Sequence, residues 1–281
     1  MQAIAALPGR AGKSPGWDKL RRMDENKQAP RSRTIYLLPN LFTTAGLFAG
    51  FYSIIAAANG QFVHAAVAVF IAAVMDGLDG RVARLTGTST EFGVQYDSLA
   101  DLVSFGMAPA LVMYHWSLSY MKFDSDVMGR VGWAVAFLYA ACAALRLARF
   151  NTQVGTVDKR WFIGLASPAA AGLMMSFVWA FADGDLGWSG EQLRYVALGV
   201  TLVAALLMVS RIRFWSFKGA GGGGEKAIRI PFYLLLLVPV VIAVLAMDPA
   251  RALLAIGVVY ALSGPVYWLW RRTRKTPEAA T

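Results

Sequence analysis

The chain has 281 residues, 57% of them hydrophobic and only 16% charged, with a net charge of +10. Its mean hydropathy of +0.49 excludes the soluble two-domain protein that its length alone would allow. The basic excess is split into short clusters beside apolar runs, which fits anionic lipid headgroups better than nucleic acid, so no nucleic-acid partner is expected.

A membrane-spanning helix needs roughly 20 mostly apolar residues, and about eight such runs are present. The fold class expected is therefore all-α, a polytopic integral membrane protein. Residues 1–34 form a basic tail containing Arg10, Lys13, Lys19, Arg21, Arg22, Lys27, Arg31 and Arg33. Within it Trp17, Leu20 and Met23 recur every three residues, which suits either a short interfacial helix or a disordered tail. The apolar run Ala3 to Leu7 is too short for the core of a signal peptide.

The first span is expected over 35–57, with a tight turn at Asn59-Gly60, and the second over 61–85. A Gly/Thr/Ser-rich link leads to a third over 92–118, followed by a fourth over 131–150 and a fifth over 163–182. The entry to the fifth, Gly164 to Gly172, is rich in small residues that permit close helix packing. A sixth span over 193–210 completes a core assigned to 35–218. A Gly-rich linker over 219–229, two additional helices over 230–247 and 252–270, and a tail over 271–281 follow. The linker resembles a phosphate loop in its glycine spacing, but Glu225 stands where the lysine is required.

Charge orients these spans. Nearly all Lys and Arg fall on one side, leaving Lys122, Arg130, Arg194 and Arg251 at the opposite ends, so both termini are expected in the cytoplasm. Trp116, Tyr120, Trp133, Trp161, Trp188 and Trp215 sit near expected span ends and read as interfacial anchors. Cys142, the single cysteine, reads as a packing residue, and His64 and His115 as interfacial or packing residues.

The chemistry concentrates between Asp76 and Asp101. Asp76 and Asp79 share one helical face at i, i+3, and Asp97 and Asp101 another at i, i+4. Carboxylates in an apolar span are costly unless paired, hydrated or bound to metal. Hard oxygen donors with no nearby Cys or His suit Mg²⁺ or Mn²⁺ holding a diphosphate. Ion pairing with Arg81 and Arg84 alone would leave the four acids uncompensated. Arg146 and Arg149, at i, i+3 near the inner end of the fourth span, are candidates for pairing with an anionic group. A positive-inside anchor would explain either one alone. Lys159 and Arg160 are weaker candidates in a loop.

The spacing D-x2-D-G-x2-A-R-x8-G-x3-D-x3-D, complete from Asp76 to Asp101, resembles the signature of the integral-membrane CDP-alcohol phosphotransferases. The resemblance covers most of residues 35 to 175. Leu38 to Thr44, Asp97 to Ala110, Arg146 to Asn151 and Gly164 to Ala171 are similar to bacterial and archaeal members that use serine as acceptor, although Ala166 stands where many relatives carry proline. It implies a six-helix family core in a prokaryotic inner or plasma membrane, a homodimer, and an active site facing the cytoplasm. It also implies displacement of CMP from CDP-diacylglycerol by the hydroxyl of L-serine, with Mg²⁺ or Mn²⁺. Asp76, Asp79 and Asp97 match the metal-binding acids, and Asp101 the fourth acid, a general base and second-metal ligand. Gly80, Arg84, Thr90, Gly93, Asn40 and Thr43 match contacts to CDP-diacylglycerol; for Thr90, Asn40 and Thr43, helix capping or loop hydrogen bonding is the competing explanation. Glycerol 3-phosphate or inositol phosphate is the alternative acceptor. A divalent-cation transporter is the alternative from another class, although clustering of the acids at one end of the spans disfavours access from both faces.

Overall fold

A computed structural model describes residues 33–87, 90–152, 161–183, 187–215 and 246–273. The chain folds as α1 (Arg33–Ala58), α2 (Phe62–Thr86) and α3 (Glu91–Asp101), which continues through a π-helical turn (Leu102–Met107) into α4 (Ala108–Trp116). A 3₁₀ segment (Leu118–Phe123), α5 (Asp126–Thr152), β1 (Trp161–Ile163), α6 (Ser167–Ala182), α7 (Arg194–Val209), β2 (Arg213–Trp215) and α8 (Pro249–Thr273) follow. Stretches of α1, α2, α5 and α8 are each long and apolar enough to cross a membrane, and α6 and α7 are shorter apolar helices. The protein is a polytopic membrane protein, all-helical among the described residues apart from one short pair of strands.

The expected spans that lie within the described residues coincide with these helices, with two differences of detail. The fifth span begins at Ser167 rather than residue 163, because Trp161–Ile163 pairs antiparallel with Arg213–Trp215. Trp161 and Trp215 face each other in that register, so both lie in strands beside the helix ends. Gly164 turns the chain out of the strand at φ +82°, where its missing side chain leaves room for the Met208 carbonyl. Pro168, in the first turn of α6, then starts the helix. The basic tail to residue 32, Lys159 and Arg160, the Gly-rich linker, most of the span expected over 230–247, and residues 274–281 lie outside the described residues.

Asn59 and Gly60 make the expected turn between α1 and α2, whose tight pairing builds one wall of the core. The remaining core is packed from small and flexible side chains: Ala65, Ala66, Val69, Ala108, Met113, Ala143, Met174, Met175 and Ala205 are buried, as is Cys142. The π-helical turn seats α3–α4 against this core. Inside it Ser104 donates a hydrogen bond to the Gly46 carbonyl at 3.1 Å, and Tyr139 of α5 donates to the Phe105 carbonyl at 3.1 Å. Helix α1 accommodates the turn through Gly50, where a Cβ would lie 2.5 Å from Ser104 Oγ and 2.8 Å from its Cα.

At the far end from the acids, Arg194 makes two bonds of 2.8 and 2.7 Å to the Asp124 carboxylate, and Tyr195 donates to it at 3.0 Å. The Arg194 guanidinium, followed by the Tyr195 hydroxyl, holds the Asp124 carboxyl below the usual carboxylate range.

Because the Ser104 backbone as well as its side chain blocks a methyl group at Gly50, Gly50→Ala is expected to cost about 1–3 kcal/mol. Gly199→Ala, on α7 with open space around it, is expected not to lower stability. Thermal unfolding of the two purified variants in detergent checks this, with a lower midpoint for Gly50→Ala alone.

Candidate active site

Asp76 and Asp79 lie in the second half of α2, and Asp97 and Asp101 in α3, so the loop between the helices folds the two halves of the acidic motif onto each other. Local chemistry defines both ends of that loop. Gly87 closes α2 in the left-handed conformation, with its N–H on the Ala83 carbonyl. Thr90 caps α3 by accepting the Gly93 N–H at 3.0 Å.

Three of the four acids converge. Asp76, Asp97 and Asp101 are half-buried, and each offers a carboxylate oxygen within 4.8 Å of the others. Asp79 is the most buried of the four at 5% exposure and stands slightly apart. It accepts a hydrogen bond from Thr43 of α1 at 2.8 Å and another from the Gly80 backbone N–H. Asp101 sits deepest along α3, with Asp76, Asp97 and Asp79 as negative neighbours and Arg146 of α5 as its positive one. Clustered hard oxygen donors with an excess of negative charge fit a divalent cation of the Mg²⁺ or Mn²⁺ type.

The other expected residues fall into two groups around the acids. At the mouth, Arg84 is exposed and its guanidinium nitrogens lie 3.7 and 4.0 Å from where a Gly80 side chain would begin. A Cβ on Gly93 would lie 3.2 Å from Thr90 Oγ1 and 3.6 Å from Asn40 Oδ1, so Asn40, Thr90 and Gly93 form one corner at the start of α3. At the inner side, Arg146 donates through Nη1 to Ser167 Oγ at 2.6 Å. Its Nε is buried and has no hydrogen-bond partner among the described residues. Arg149 is half-buried one turn further along α5, and it is Arg146 that faces Asp101.

Several supporting residues escape the sequence reading. Ser167, the first residue of α6, anchors Arg146. Asn151 donates to Ser98 at 3.0 Å, tying the end of α5 to α3 beside Asp97. Tyr96 and Thr44 share a hydrogen bond of 2.9 Å, tying α3 to α1. Ser98, Asn151 and Ser167 fall within the motif stretches, whereas nothing in the sequence marks Tyr96 as the partner of Thr44.

Known proteins with similar sequences carry this arrangement into a family. Residues 36–210 match the CDP-alcohol phosphatidyltransferase family. A CDP-diacylglycerol–serine O-phosphatidyltransferase of Helicobacter pylori strain J99 is 37% identical over 236 residues, covering 84% of this chain and 92% of that one. One from Mycobacterium leprae is 37% identical over 65% of this chain and 60% of its own. The archaetidylserine synthase of Methanothermobacter thermautotrophicus is 31% identical over 66% of this chain and 72% of its own. With the family match spanning more than half its length and its acidic motif gathered across α2 and α3, the chain belongs to the CDP-alcohol phosphatidyltransferases.

Proposed function

We propose that this enzyme transfers the phosphatidyl group of CDP-diacylglycerol to the hydroxyl of L-serine, giving phosphatidylserine and CMP. The observation that carries this reading is the convergence of Asp76, Asp97 and Asp101 within 4.8 Å beside the Arg146 guanidinium. That convergence supports a reading in which the acids, through a bound cation, hold a diphosphate and Arg146 pairs with a carboxylate. The names of the serine-using relatives support serine as the acceptor.

Asp76, Asp79, Asp97 and Asp101 would hold Mg²⁺ or Mn²⁺, which when bound neutralises diphosphate charge. Arg84 pairs with a phosphate at the mouth, and Asn40, Thr90, Gly80 and Gly93 shape the nucleotide's seat, where missing side chains let the ligand approach backbone. Thr43 acts through Asp79, fixing the orientation of its carboxylate. Arg146 holds the serine carboxylate, with Arg149 adding positive charge nearby.

Asp101 takes the proton from the serine hydroxyl as its oxygen forms a bond to the phosphorus that carries diacylglycerol. The bond from that phosphorus to the bridging oxygen breaks, and the electron pair leaves on CMP. Direct attack is favoured because no separate nucleophile is evident beside the acids among the described residues. The membrane orientation follows from charge, with the site and both termini in the cytoplasm, CDP-diacylglycerol arriving from the inner leaflet, anionic lipid at the basic clusters, and a homodimer as the assembly.

Purified protein is expected to release CMP from CDP-diacylglycerol only with L-serine and Mg²⁺ or Mn²⁺, forming phosphatidylserine. Asp101→Asn should lower that rate by about a hundredfold or more. Release that needs glycerol 3-phosphate or inositol phosphate instead would keep the family chemistry and replace serine, whereas cation flux into liposomes without CMP release would favour transport.

Thr43→Val removes the donor that orients Asp79 while keeping the side-chain shape. Loss of such a supporting hydrogen bond typically weakens metal binding by roughly 10–100-fold. The concentration of Mn²⁺ giving half-maximal activity should therefore rise by at least about tenfold, with Thr43→Ser restoring it. An unchanged metal requirement in Thr43→Val would separate Thr43 from the metal site.

A further inference from the structure

The last described helix lies outside the family-matched residues 36–210, yet it packs directly on the helix that anchors Arg146. Two glycines set this approach. Gly257 lets α8 settle on α6, with a Cβ there falling 3.3 Å from Leu173, and Gly264 lies against the Phe214 ring next to the strand pair. Since β1 leads into α6, α8 runs antiparallel to that helix.

That register brings Tyr260 toward the inner end of the site. From the Gly257–Leu173 contact, Tyr260 is three residues along α8 and Ser167 six residues back along α6, about 4.5 and 9 Å along the two axes. Tyr260 thus stands about one turn from the level of Ser167, within reach of a tyrosine side chain. Its ring is held against Phe214 at a centroid distance of 5.8 Å, and it remains half-buried.

Arg146 has two phenols as electrostatic neighbours, Tyr139 and Tyr260. Tyr139 is fully buried and spends its hydroxyl proton on the Phe105 carbonyl. Tyr260 is the more accessible of the pair. Arg146 directs Nη1 to Ser167 and retains a buried Nε–H without a partner among the described residues. A buried guanidinium N–H without a partner calls for an acceptor, and a carboxylate suits the fork of an arginine.

We propose that Tyr260 completes the acceptor end of the site, its hydroxyl joining the Arg146 guanidinium in holding the carboxylate of the acceptor alcohol. Helix α8 thereby takes part in choosing the acceptor. This deepens, and rests on, the reading of serine as that acceptor.

The test is Tyr260→Phe in the full-length protein, purified in detergent and assayed for CMP release, because phenylalanine keeps the ring against Phe214. One lost hydrogen bond to a charged group should raise the serine KM roughly tenfold, leaving kcat and the KM for CDP-diacylglycerol unchanged. Inhibition by serine methyl ester, which lacks the carboxylate, should be the same in both proteins. An unaltered serine KM in the variant overturns the role of Tyr260 alone, and so does equal weakening of serine and ester. Wild-type release that ignores serine overturns the acceptor assignment itself and this role with it.

Discussion

Carboxylates in apolar helices must be answered by other polar groups, and the acid-bearing end of this bundle is arranged around that requirement. Five helices each supply part of the answer. Helix α1 brings Thr43 to Asp79, α2 and α3 bring the acids, α5 brings Arg146 to face Asp101, and α6 supplies Ser167 to hold Arg146. Each of these partners sits on a helix other than that of the group it answers. The site is consequently a property of the bundle's packing, and a shift of any one helix would leave a buried polar group without its counterpart.

The long helical stretch from Glu91 to Trp116 has two tasks. Its first part must present Asp97 and Asp101 toward α2, while its last part must bury Val112, Met113 and Trp116 in the core. The π-helical turn between them widens the helix locally and resets which face points inward, a device often found beside functional sites. Bonds from Tyr139 and to Gly46 tie that segment to α5 and α1. Asp101 lies immediately before the widened turn, so the same feature that seats α4 also fixes the position of the deepest acid.

The acidic cluster is legible in the sequence because helical spacing alone puts Asp76 with Asp79 and Asp97 with Asp101, and acids in apolar spans stand out. The described helices are legible for the same reason of length and hydropathy. The pairing of Trp161–Ile163 with Arg213–Trp215 is not, because strands of three residues carry almost no alternation and their partners are some fifty residues apart. Spacing groups all four acids alike, whereas the structure sets Asp79 apart on Thr43. That distinction depends on the approach of α1, which is a tertiary fact. Ser167 likewise reads as one more small residue in a packing stretch, and only the placement of α5 makes it the anchor of Arg146.

The two ends of the bundle use polar groups differently. At the far end, Arg194 and Tyr195 close on Asp124, and Ser117 donates to the Gly190 carbonyl at 2.5 Å, joining the start of α7 to the turn after α4. Those bonds link segments that need only stay together. At the acid end the bonds orient charged groups: Thr43 donates to one oxygen of Asp79, and Ser167 accepts from one nitrogen of Arg146. The Asp79 carboxylate and the Arg146 guanidinium are thereby fixed in place by partners on other helices, the kind of preorganisation that a polar site inside a helical bundle requires. Polar bonds thus join separate segments at one end of the bundle and aim charged side chains at the other, so loosening the first end would loosen the fold, whereas loosening the second would misalign the acid cluster.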